Sequence, residues 1–185
     1  PRFPAAVGRY VDLGRFYDLT AAKLSATEVK AHTYAYKRAY ERAYRYLKAA
    51  RLVEEESAAC AAAVFDRHRA LTRLERIGQR ELHAKGKESG KTALRFLGSI
   101  THKGYIWRFD SVDTLCPKVY VLADSWGLAG EGLSLLRTMA SEKGWDSISC
   151  MCPEDPARLE HLLIPGLGLA FVTSRQGMTY GKKPD

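Results

Sequence analysis

A chain of 185 residues with 46% hydrophobic and 27% charged side chains suits one ordinary domain, or a small domain with a helical appendage, and excludes a disordered polypeptide. Its formal charge of +8 and pI near 9.4 admit phosphate, nucleic acid or an acidic protein as a partner, although most such excess only solvates a surface. No apolar run approaches the ~20 residues of a membrane span, no signal peptide precedes Pro1, and the four cysteines are too sparse for a secreted disulfide framework, so a cytoplasmic chain is expected.

Pro1, Pro4, Gly8 and Gly14 among scattered aromatics make residues 1–24 an irregular segment packed on something else. Ser25-Ala-Thr-Glu28 then has the form of a capping box. From there Val29, Tyr36, Tyr40, Ala43, Leu47 and Ala50 recur at steps of three, four or seven, which predicts a long helix with one apolar stripe. The stripe drifts near Ala61 to Asp66 and restarts at Val64, His68, Leu71 and Leu74. An antiparallel helical hairpin over residues 25–84 follows. Tyrosines 34, 36, 40, 44 and 46 interleave with Lys37, Arg38, Arg42, Arg45 and Lys48, a pattern that invites nucleic-acid binding. Because Tyr36 and Tyr40 fall on the stripe, the preferred reading places them in the helix–helix core, with the cations facing water.

Gly86-Lys-Glu-Ser-Gly-Lys-Thr92 imitates the end of a phosphate-binding loop, but it has one residue too few between its glycines and follows a polar helix. Residues 85–92 therefore read as a linker. Ala93 to Ile100 reads as a strand, and Gly104 to Leu115 as a turn and short helix with Ile106, Phe109, Val112 and Leu115 on one face. Val119 to Leu122 is a strand, Gly127 to Ser134 a glycine-rich turn, and Leu135 to Ala140 a helix closed by Gly144. Asp146 to Met151 and Leu167 to Thr173 complete the strands, and their alternation with helices predicts a largely parallel α/β sheet.

Strand, glycine loop and helix in that order are the setting of a P-loop, whose glycines let backbone N–H groups converge on phosphate at a helix N-terminus. Gly127, Gly132 and Ser134 fit the spacing G-x-x-x-x-G-K-[ST], Gly130 adds backbone freedom, and Leu133 stands where the lysine should be. Losing that charge-assisted bond costs about 1.5–3 kcal/mol, roughly ten- to a hundredfold in affinity, and Glu131 adds a repelling carboxylate. Leu133 is expected to turn into apolar surroundings, and restoring lysine there with glycine or threonine at Glu131 to recover binding. Asp155, in Cys152-Pro-Glu-Asp-Pro156 at the carboxyl edge of the sheet, reads either as a cap for a following helix or as a metal contact through water. Histidines 32, 68, 83, 102 and 161 form no ligand pair, Cys150 and Cys152 read as packing residues, and no metal site is expected.

The chain resembles an uncharacterised family of bacterial tandem P-loop ATPase-like proteins, in which a helical insert joins two P-loop domains. The resemblance is carried by Tyr10-Val-Asp-Leu-Gly-Arg-Phe-Tyr17, Glu41 to Ala50, Arg95-Phe-Leu-Gly-Ser-Ile-Thr-His-Lys-Gly104, Cys152 to Pro156 with Leu159, and Leu163-Ile-Pro-Gly-Leu-Gly-Leu169. It implies that residues 1–24 close a first domain, that 25–84 are the insert, and that 93–185 are part of a second P-loop NTPase-like domain. The family's second loop looks like G-x-P-G-T-G-K-[ST]. Its hydroxyl falls on Ser134 and its lysine on Leu133. The expectation is then a structural or regulatory module with weak or no ATP and Mg²⁺ binding, working with an intact P-loop domain in cis or in trans, or as a homo-oligomer. Two alternatives stay open: an active nucleoside-triphosphatase whose lysine comes from Lys91, Lys103 or another subunit, and a basic helical module for nucleic acid or an acidic protein.

Overall fold

The computed structural model describes residues 11–86 and 88–181, and divides between Ala49 and Ala50 into two compact units. The first ten residues of the expected irregular segment, and Lys87 of the expected linker, lie outside the described residues.

In the first unit a helix begins earlier than the capping box suggested. Asp18 accepts hydrogen bonds from the N–H groups of Thr20 and Ala21, and starts α1 (Leu19–Leu24). Ser25 interrupts it, and α2 (Ala26–Val64) follows as a 39-residue helix with no buried residue. Tyr36 and Tyr40, expected in a helix–helix core, are 54% and 58% exposed. The predicted break is present: Asp66 accepts from Arg69 N–H at 2.9 Å and starts α3 (Arg67–Glu81).

Within the second unit, α3 packs its apolar face on another helix. The apolar face of α3 is claimed by α5 (Gly130–Glu142): Leu74 and Ile77 pack into the core cluster that holds Leu133, Leu136 and Ala140, and Gly78 lies directly against Leu136 and Met139. Glu81 ties the end of α3 to the sheet. Its carboxylate accepts from Lys118 Nζ and Tyr120 Oη, each at 2.6 Å, and these two contacts, Lys118 foremost, hold its pKa down to about 2.

The second unit is α/β, with a mixed, mostly parallel five-stranded sheet. Its strands are β1 (Thr92–Arg95), β4 (Lys118–Ala123), β5 (Ser147–Met151), β6 (Leu159–Ile164) and β7 (Leu169–Ser174), in the order β1-β5-β6-β7-β4. β1 is parallel to β5, and β4 to β7, while β6 runs antiparallel between β5 and β7. The three expected strands therefore do run the same way, with an unexpected antiparallel strand at the centre. Alternation along β7 sends Leu169 and Phe171 to the α5 face and Ala170 and Val172 to the other. That second face is covered by α4 (Phe109–Leu115) through Val112 and Phe109.

The stretch before α4 is also corrected. Residues 98–107 form a β-hairpin, β2 (Gly98–Thr101) against β3 (Gly104–Trp107), instead of continuing a strand into a helical turn. Gly104 turns it with φ +93°, a conformation open to glycine. Among the described residues, no helix is long and apolar enough to cross a membrane.

Candidate functional site

β4, β5 and β7 end at the same edge of the sheet, where open α/β sheets bind ligands. Three connections leave that edge. They are the loop Asp124 to Ala129 after β4, the segment Cys152 to Arg158 after β5, and Arg175 to Met178 after β7. With residues 51–58 of α2 and the β2–β3 hairpin they enclose a cleft of about 720 Å³.

The glycine loop is organised around Asp124. Its carboxylate accepts hydrogen bonds from Leu128 N–H at 2.7 Å and Ala129 N–H at 3.0 Å. Gly127 makes the turn possible with φ +71°, and a Cβ there would stand 1.8 Å from Arg158 Nη1. Gly130, Gly132, Leu133 and Ser134 of the expected motif are helical, because α5 already begins at Gly130. Gly132 faces α3, where a Cβ would come within 2.2 Å of Leu74 Cδ1, and a Cβ at Gly130 would approach the Leu159 carbonyl oxygen at 3.3 Å. Leu133 is wholly buried in the apolar core, as its surroundings were expected to be. Ser134 Oγ donates to the Gly130 carbonyl at 2.9 Å. Glu131 is paired with Arg67, whose Nε donates to it at 2.6 Å. Gly127 thus lines the cleft, whereas Gly132 and Leu133 serve the packing of α5.

Asp155 is at the carboxyl edge as predicted, but no helix follows it. It caps a turn instead: its Oδ1 accepts from Ala157 N–H at 3.2 Å, its carbonyl accepts from Arg158 N–H at 2.8 Å, and its Oδ2 pairs with Arg51 Nη2 at 3.0 Å. Among the described residues, no group of three or more His, Cys, Asp or Glu could hold a metal ion. Cys116 and Cys150 are buried thiols, pushed up to about 11 and about 12 by desolvation, and are inert as nucleophiles at neutral pH.

The charged groups of the cleft were mostly invisible in the sequence. Arg158 donates through Nη2 to Cys152 Sγ at 3.0 Å, and Arg175 lies 3.5 Å from carboxylate oxygens of both Glu154 and Glu160. Burial, with Glu54 beside it, raises the Glu154 pKa, and burial raises that of Glu160. Glu160 and His161 stand side by side on the central strand, 5% and 0% exposed. Thr173 N–H donates to His161 Nδ1 at 3.1 Å, so the ring is neutral with its proton on Nε2, in edge contact with Trp107 and Phe109. The missed signal was Leu159-Glu-His-Leu-Leu-Ile164, an apolar strand with two polar residues embedded where a central strand should carry none.

The arrangement is therefore an α/β sheet with an arginine- and carboxylate-lined cleft at its carboxyl edge and a glycine turn on one wall. No family model, curated protein or solved structure matches the chain.

Proposed function

We propose that this chain is a P-loop NTPase-like module that does not hold nucleotide at residues 127–134, and that it acts as a structural or regulatory partner of an intact P-loop domain in cis or in trans. The observation that carries the reading is the Asp124 carboxylate, which takes the N–H groups of Leu128 and Ala129 and places a fixed negative charge beside the helix that would receive phosphate. At this helix end the Leu128 and Ala129 N–H groups are already taken by Asp124, Glu131 is paired with Arg67, and position 133 offers no lysine to a triphosphate.

Leu133 also argues against phosphate binding at this loop. A side chain packed among Leu82, Leu136 and Leu162 belongs to the core, and the position points no cation at the cleft. The active-enzyme reading must find its lysine elsewhere. Lys91 precedes β1, at the opposite end of the parallel strands from Gly127, which leaves Lys103 in the β2–β3 turn or another subunit.

Calorimetric titration with Mg-ATP tests the proposal. The chain alone is expected to give no heat of binding, or at best millimolar affinity, and micromolar binding would replace this reading with the active one.

A further inference from the structure

A helix that buries no residue along 39 positions lacks the usual source of helical stability, which is burial of one apolar face. The part of α2 within the first unit nevertheless carries such a face. Val29, Thr33, Tyr36, Tyr40, Ala43 and Leu47 alternate at steps of four and three, the seam spacing of paired helices. The seam is largely open: Val29, Tyr36 and Tyr40 are 59%, 54% and 58% exposed, with Thr33 and Leu47 half-buried and Tyr44 exposed at its border. Its rings are already ordered against each other, Tyr36 on Tyr40 edge-on at 5.7 Å and Tyr40 on Tyr44 at 6.2 Å, which lowers the cost of ordering them on binding.

We propose that this seam docks an amphipathic helix of a partner whose apolar stripe is flanked by acidic residues. Charge selects that occupant. Residues 26–49 hold Lys30, Lys37, Arg38, Arg42, Arg45 and Lys48 against only Glu28 and Glu41. Lys30 and Lys37 directly border the seam on one side, with His32, Ala39 and Tyr46 on the other. A second copy fits poorly. In antiparallel pairing it sets lysine against lysine, and in parallel pairing it offers those lysines no carboxylate. Nucleic acid also fits poorly, because stacking rings and phosphate-binding cations should share a surface. At ~100° per residue Arg38, Arg42 and Arg45 fall on the side of the helix away from Tyr36 and Tyr40.

The probes are two labelled synthetic helices with leucine along one stripe, one flanked by glutamate and one by lysine, titrated against the full chain by fluorescence anisotropy at physiological salt. The glutamate-flanked peptide is expected to bind at least tenfold more tightly than its counterpart. Tyr36→Ala with Tyr40→Ala should weaken it by tenfold or more, and Lys30→Glu with Lys37→Glu should reverse the preference. That reversal is a gain of binding, which a misfolded variant could not produce. The proposal is overturned by equal binding of the two peptides, by no binding of either, or by oligothymidylate binding more tightly than the acidic peptide at the same salt. A dimer of the chain alone that Tyr36→Ala dissolves would likewise assign the seam to a second copy.

Discussion

The carboxylate of Asp124 accepts the N–H of Leu128 at 2.7 Å, closing a turn that delivers the chain from β4 into α5. Because the same carboxylate also holds Ala129, one side chain satisfies two backbone donors at the helix entrance. Asp124→Ala should therefore lower stability by about 1–2 kcal/mol, in the range of lost helix caps, and Asp124→Asn by less because its amide oxygen can still accept. Urea unfolding of the three proteins measures this order.

Gly132 separates a packing role from a phosphate-binding one. A methyl group there would meet Leu74 Cδ1 at 2.2 Å, so Gly132→Ala should cost about 1–3 kcal/mol by overpacking. Pairing it with Leu74→Ala should cost less than the sum of the two single changes. Additive losses in that cycle would show that the glycine does not answer to Leu74.

Leu133→Lys, the change that repairs the motif on paper, should damage the protein. The position is 0% exposed within the apolar core, so an ammonium there is desolvated without a partner, and a loss of roughly 2–5 kcal/mol is expected. This departs from the sequence expectation that lysine restores binding. Chemical unfolding and Mg-ATP calorimetry of Leu133→Lys with Glu131→Thr should show lower stability and no gain in affinity.

His161 predicts an acid-sensitive term. Burial, and Arg175 second, hold its pKa down to about 3, against ~6.5 when unfolded. Between these values the unfolded chain binds more protons than the folded one, so stability from His161 is fully present above pH ~6.5 and is lost as pH falls toward 3, with a slope of up to ~1.4 kcal/mol per unit. Glu154 and Glu160, with raised values, oppose this slope, so the difference from His161→Gln is the quantity to measure. The stability advantage of the wild-type chain over that variant should shrink steadily below pH 6.5.

The strands read best from sequence were β4, β5 and β7, whose β-branched and apolar residues face packed layers on both sides. β6 escaped because Glu160 and His161 break its apolar run, and only the tertiary contacts with Arg175 and Thr173 explain their burial. The β2–β3 hairpin escaped because Ile106, Phe109, Val112 and Leu115 are spaced as on a helix, although Ile106 belongs to a strand and only the other three to α4. For the tyrosines, periodicity located a stripe but not their surroundings: Tyr36 and Tyr40 are 54% and 58% exposed. In the loop, Leu133 was legible as a missing cation. The hold of Asp124 on Leu128 was not, since it depends on a turn at Gly127 that spacing alone does not draw.

The amide resonances of Leu128 and Ala129 report most directly on whether this loop keeps its own carboxylate or yields to phosphate. In a nitrogen–proton correlation spectrum of the full chain titrated with Mg-ATP to millimolar concentration, both signals should hold their positions, because Asp124 retains them at 2.7 and 3.0 Å. A saturable shift of both at micromolar nucleotide would contradict the account and make residues 127–134 a working phosphate site.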